Sequence, residues 1–514
     1  MPERAMLIGV ILLIIGLIIG VGIGYGVWGT VPAKTVTTTT TVTAAAETVT
    51  TTVTTTLPAT TVTTTTTTTV TTTVPAVTPK KAVISVLAAG DPASVTRKDN
   101  VIKACKRLSL LFKILDIPIT IEVDEEKSEY FRGKWPEYEK KIWAAYEAKE
   151  LWDIIAVGHE WIPTLAEKGI IIPLDDYVKK YWDFAFSDIP ETLWEAVKYK
   201  GHIWAIPQDT EARPVYIWIP ALKALGWTEE EIKALPEKVK KGEFTLDDML
   251  ELAKKAVDMG VVKYGILHRP SPGAELWQII LAYGGRLWDP EKGKMVLVKS
   301  ATLKALQWFR KAVDMGVLPS DMTTWSWRAI HTAVVSGQTM FWFGGTWHWA
   351  EWQKVPYHPE LGAVPEEYLW EHFIFTLVPP GVKGGKPVTI SHPFVYVITS
   401  QADDPDLAAL VLAMVTQPEF DVAHAVGSAH IPVKKSSLEH PGMKQAKFLS
   451  AVAYMLDYTS FEPMHPLWGK YKDILFKAIQ AVELKKMTPE EALKFIEDSI
   501  KADPELVKAV EIVE

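Results

Sequence analysis

Three kinds of patterning follow one another along the chain. From Ala5 to Trp28 every residue is uncharged, a run longer than the ~20 residues a helix needs to cross the apolar core of a bilayer. Cleaved secretory signals carry an apolar stretch of only about 7 to 15 residues, so the pattern predicts a retained anchor over 5–28. Arg4, just before the run, places the short N-terminus inside the cell and the bulk of the chain outside. Residues 29–80 are dominated by threonine, with scattered Val, Ala and Pro. Lacking aromatics and any apolar period, this stretch cannot bury enough surface to offset the entropy of ordering, and it reads as a disordered tether. Unmodified, it would span roughly 35 to 40 Å root-mean-square, and O-glycosylation would extend it further.

Past Lys81 the pattern changes to short apolar runs alternating with helical periods. "AVISVLAAG", "IPITIEV" and "LWDIIAVG" read as buried strands, two of them ending in Gly90 and Gly158. Between them "YEKKIWAAYEAKE" places Trp143 and Tyr146 three apart on one helix face. Lys200-Gly201 predicts a turn, followed by a strand to Pro207 and an extended run through Trp218. Thr245 before two acids, and Thr488-Pro489-Glu490-Glu491, are helix starts. "AIHTAVVSGQTMFWFGG" reads as a helix stopped by Gly337 and a buried strand running into Gly344-Gly345. Alternation of this kind predicts an α/β protein with parallel sheets covered by helices. Ligands of such sheets sit beyond the carboxyl ends of the strands, where Asp91 and His159-Glu160-Trp161 stand.

Composition narrows the function. A chain of 514 residues calls for more than one lobe. A net charge of -8 without a basic stripe excludes nucleic acid as a partner. Cys105 is the only cysteine, which leaves no disulfide, thiolate zinc cluster or redox pair. No cofactor or metal is expected. Asn100 is the only asparagine, a depletion of thermolabile side chains that suits a hot-living source.

The order of "WDIIAVGHEWIPTLAEKGIIIPLDDYV", "YKGHIWAIPQDTEARPVYIW", "LAYGGRLWD", "AVVSGQTMFWFGGTWHW", "VYVITSQADDPDLAALVLAMVTQPEF" and "GSAHIPVKKSSL" resembles the family 1 extracellular solute-binding proteins of ABC importers, the group that includes maltose and trehalose/maltose receptors. The resemblance implies a two-lobed periplasmic-binding-protein-like fold with hinge crossovers near 209–214, 394–399 and 430–433. One lobe would comprise about 81–208 and 395–431, the other about 215–393 and 433–514. It also implies an oligosaccharide or disaccharide ligand held in the cleft, and ABC permease subunits as partners.

Sugar rings need flat aromatic faces for their C–H surfaces and charged or amide groups for their hydroxyls. By family position Trp347 and Trp327 are stacking candidates and Trp468 a third, whereas Trp342, Trp349 and Trp352 read as core. Glu211 matches a sugar-binding carboxylate, and Glu160 and Asp91 are further acidic candidates. Trp161 stands where some relatives carry a cation. Glu275 and Trp277 precede Gly284-Gly285 at family-like spacing, and Phe394 lies at the second crossover.

An enzyme reading fares less well. Glu160 and Glu211 could form a glycosidase pair only at about 5 to 9 Å. "HEWIP" is no zinc helix, because Pro163 stands where the second histidine belongs. P-loop and nucleophile-elbow motifs are missing. The alternatives are a surface glycoside hydrolase and a receptor for a non-sugar solute; scarce arginine near the candidate residues argues against a phosphate ester.

Overall fold

The computed structural model describes residues 80–90, 96–133 and 135–514. The predicted anchor 5–28, the linker 29–79 and Asp91 lie outside the described residues. Among the described residues no helix is long and apolar enough to cross a membrane.

Two sheets organise the body. In the first, strand Val86–Ala89 pairs in parallel with Glu129–Phe131 on one side and Ile154–Gly158 on the other, and Phe394–Ile398 and Ile206–Pro207 complete five strands. In the second, four strands run in the order Tyr264–Leu267, Thr339–Phe343, Val215–Trp218, Phe373–Thr376. Ile154 to Val157 and Val395 to Ile398 are essentially inaccessible, as are Phe341 to Phe343 and Val215 to Ile217, so each sheet is buried on both faces and its strands read as continuous apolar runs.

The sheets are mixed, not parallel as the alternation predicts. Phe394–Ile398 runs antiparallel to Ile154–Gly158, with Phe394 opposite Gly158. Val215–Trp218 runs antiparallel to Thr339–Phe343, with Val215 opposite Phe343. The reason is topological. Each reversed strand follows a segment that crosses from the other sheet, 208–214 in one direction and 377–393 in the other. A strand fed from the gap between sheets must start at the edge where its neighbours end. A third connection is tied to the first by the isolated bridge between Thr210 and Ile431.

Local signals set the helices. Thr245 accepts from the Asp248 amide while Asp248 accepts from the Thr245 amide, a reciprocal cap worth about 1 kcal/mol. The helix it opens, Leu246–Asp258, buries Leu246, Met249, Leu250, Ala253 and Ala256 along one face. Thr488 and Glu491 make the same cap before Pro489–Ala502. Gly337, at φ 69°, stops helix Trp327–Val335 before the buried strand Thr339–Phe343. In helix Trp135–Ala148 the buried face is set by Tyr138 and Ile142, while Trp143 and Tyr146 are only half-buried.

Candidate functional site

Strand Ile154–Gly158 delivers the turn His159–Trp161 at its carboxyl end. Gly158 is required there: a Cβ would stand 2.4 Å from Glu160 Oε2 and 2.6 Å from His392 Nε2. Those two atoms are themselves 2.6 Å apart. Burial pushes the Glu160 carboxyl up, but the adjoining His392 more than offsets this and holds it well below the usual range. Trp161 is half-buried, with Trp135 and Tyr138 each 5.7 Å away, centroid to centroid. Phe394 is buried under the Arg97 guanidinium, 3.8 Å above its ring.

The first crossing segment supplies a second group. Glu211 pairs with Arg213, whose Nε lies 3.5 Å from Glu275 Oε2; Glu275 in turn pairs with Arg269. Burial pushes the Glu211 carboxyl up to about 7 despite Arg213. Burial also raises Glu275, but Arg269 and Arg213 together bring it down to about 2. Buried Glu275 Oε1 and Thr346 Oγ1 have no hydrogen-bond partner, an unmet demand that costs about 1–3 kcal/mol per group.

Each arginine of this chain also lies against one indole. Arg213 sits 5.1 Å over the ring of Trp347, and Arg269 sits 5.7 Å over that of Trp327. Trp347 stacks on His430 at 5.9 Å and 12°, and both indoles flank His348. Within "FWFGGTWHWAEW" only Trp347 is half-buried; Trp342, Trp349 and Trp352 are core, as their pattern predicts. The diglycine allows the close approach. A Cβ on Gly345 would fall 1.9 Å from the Trp347 ring, and one on Gly344 would fall 2.3 Å from Trp342 Nε1. Trp327 is 37 % exposed.

Trp277 and Trp468 are placed differently. Both are fully enclosed and face each other at 6.1 Å. The Trp277 indole donates to Glu462 Oε1 at 3.0 Å, so its edge orients a carboxylate while its faces are packed.

Several residues of this constellation escape sequence reasoning: Arg97, Trp135, Arg213, Arg269, His392, His430 and Glu462. Arg213 stands two positions after Glu211, and that proximity was its one visible signal. The expectation that arginine is scarce here is wrong, since three line the site. Each, however, is matched by a carboxylate: Arg97 by Asp209 at 2.7 Å, and the other two as above. A phosphate would therefore have to compete with built-in anions. Among the described residues three clusters bring metal-ligating types together: His159–Glu160–His392, Asp209–His424–His430 and His331–His348–Glu351.

Residues 129–421 match the family model described as bacterial extracellular solute-binding protein. The chain belongs to this family. Among the relatives of this solute-binding chain, the maltotriose-binding protein of Pyrococcus abyssi (strain GE5 / Orsay) is 23% identical over 338 residues, 65% of this chain and 66% of that protein. In structure, the maltose-bound T. maritima MalE3 superposes with a TM-score of 0.63 at 17% identity, covering 82% of this chain and 100% of the other. A cyclo/maltodextrin-binding protein complexed with maltotetraose gives 0.58 at 16% identity, covering 83% and 99%. The solute-binding chain thus has the two-lobed, mixed α/β fold of these proteins.

Proposed function

We propose that this chain is a membrane-tethered sugar receptor that hands an oligosaccharide to an ABC importer outside the cell. One observation carries the reading: Trp347, the one half-buried indole of an otherwise core aromatic block, and the exposed Trp327 both lie against arginines held by buried carboxylates. Indole faces take the C–H surface of a pyranose, and Glu211, Glu275 and Glu160 accept from its hydroxyls with charge-assisted strength. Arg213 and Arg269 fix Glu211 and Glu275, and His392 fixes Glu160, before ligand arrives, so less ordering entropy is lost on binding. Trp161 extends the apolar surface beside Glu160; Phe394, Trp277 and Trp468 support from behind.

Closure is a hinge motion about 209–214, 394–399 and 430–433, with lobes at 81–208 plus 395–431 and 215–393 plus 433–514. His159 reaches the Glu462 carbonyl at 3.2 Å across this division, a contact that would make and break with closure. Residues 5–28 anchor the protein, and 29–80 hold the lobes clear of the bilayer within reach of the permease. The ligand is bound without being altered: Glu160 is engaged by His392 and Glu211 by Arg213, and both serve to hold hydroxyls.

Calorimetry against a panel of maltose, maltotriose, longer maltodextrins and trehalose tests the reading, with the recovered sugar analysed by chromatography. Saturable binding of intact sugar is expected. Shortened products would establish the hydrolase instead, and silence across the panel would overturn sugar as the ligand class.

A further inference from the structure

We propose that His159, Glu160 and His392 form a site for a divalent transition-metal ion of the zinc class. The argument starts from one nitrogen. His159 is wholly buried, and its Nε2 lies 3.2 Å from the backbone carbonyl of Glu462. A carbonyl only accepts, so Nε2 carries the proton and Nδ1 presents a lone pair. That Nδ1 has no hydrogen-bond partner. It faces Glu160 Oε2 at 3.8 Å, another acceptor. No donor stands between this nitrogen and that oxygen, so the buried lone pair of His159 goes unmet, a demand that a cation between the two resolves.

The third ligand is already in place. His392 Nε2 stands 2.6 Å from the same Glu160 oxygen, and one ligand atom from each residue falls within 4.8 Å of the others. Around tetrahedral zinc, ligand atoms about 2.0–2.2 Å from the metal are about 3.4 Å from one another. The observed 2.6 and 3.8 Å bracket that value, so these two pairs need side-chain shifts below an ångström. The hydrogen bond from His159 Nε2 to a carbonyl is the usual outer support of a metal-bound imidazole. Two imidazoles and one carboxylate without thiolate suit zinc, cobalt(II) or nickel better than calcium or magnesium. Three protein ligands leave a fourth position for water or a hydroxyl. The sequence missed the site because the second histidine lies not one helical turn from the first but 233 positions away, at the crossing segment.

The two other clusters fail the same proton accounting. His331 Nδ1 accepts from the Trp352 indole at 3.0 Å, and His348 Nδ1 accepts from the Gly345 amide at 2.9 Å. In both rings the remaining nitrogen therefore bears hydrogen and offers no lone pair. Asp209 already holds a cation, the Arg97 guanidinium at 2.7 Å, and His424 Nε2 is bonded to the same oxygen at 2.8 Å.

The test is calorimetric titration of chelator-treated protein with zinc chloride, with no sugar present. One saturable site is expected, and cobalt(II) should show the visible absorption of a tetrahedral ion. His392→Ala and Glu160→Gln should each weaken the site by more than the roughly 10–100-fold that loss of an outer hydrogen-bond partner costs. A zinc-induced rise in melting temperature should appear in the wild type and vanish in Glu160→Gln, a near-isosteric variant that keeps the side-chain volume. Absence of a 1:1 site would overturn the proposal, as would equal binding by wild type and His392→Ala, the signature of exposed histidines such as His202. Because the probe is the metal alone, this result is separate from the sugar titration of metal-free protein.

Discussion

Trp347 and Trp349 are two residues apart, yet truncating them should damage different properties. Trp349 is 2 % exposed and stacks on Phe448 with ring centroids 4.4 Å apart and planes at 6°, with Trp370 and Phe375 on its edges. Its replacement by alanine opens a core cavity and should cost about 3–5 kcal/mol of stability. Trp347 is half-buried, and on folding it gains a stack on His430 and a cation over one face. Those two interactions together are worth about 1–2.5 kcal/mol. If a sugar ring covers roughly 80 Å² of apolar indole, its loss at about 25 cal/mol per Å² costs about 2 kcal/mol of binding, or close to 30-fold in Kd. Urea unfolding of both variants, with calorimetry on the tightest sugar of the panel, separates the two effects. The reasoning is refuted if Trp347→Ala binds within twofold of wild type, or if it loses as much stability as Trp349→Ala.

Three further outcomes follow from the same geometry. Gly345→Ala places a methyl 1.9 Å from the Trp347 ring, so the indole must swing aside; ligand affinity should fall about tenfold or more for an overpacking cost of about 1–3 kcal/mol, and unchanged affinity by calorimetry would contradict the assigned ring position. Glu211 has a folded pKa of about 7, raised by burial, so between its unfolded value of about 4.3 and 7 the unfolded chain loses this proton first and stability from this group falls as pH rises. Glu211→Gln should lack that decline; parallel pH profiles of urea midpoints for the two proteins would count against it. Arg97→Met removes the guanidinium from buried Asp209 in the first crossing segment and leaves it the His424 imidazole, at about 3–5 kcal/mol, read as a drop in the unfolding midpoint.

Legibility from sequence follows the range of the interaction. Caps at Thr245 and Thr488 and the stop at Gly337 were readable because the partners lie within three or four positions. Strand direction was not, because the antiparallel entry of Phe394–Ile398 depends on where the chain has come from rather than on its own residues. At the site, the accessible Trp347 could be told from the core Trp342, Trp349 and Trp352 only through family position, since all four sit in one apolar stretch. Trp277 and Trp468, candidates by the same guide, are enclosed in the structure, and the Trp277 N–H donates to Glu462. The arginines that pin the carboxylates were invisible because ion pairing between Arg269 and Glu275, or Arg97 and Asp209, leaves no period in the chain.

The uneven shielding of indoles also gives the protein an optical signature. Among the described residues, the exposed tryptophans are Trp135, Trp182 and Trp327, so light emitted at the red edge of the fluorescence spectrum comes chiefly from these few rings. A solute settling over Trp327 should shift that edge to the blue and shelter it from acrylamide, while the emission of enclosed rings such as Trp277 and Trp349 stays constant. The protein thereby carries its own reporter of occupancy, with no dye attached.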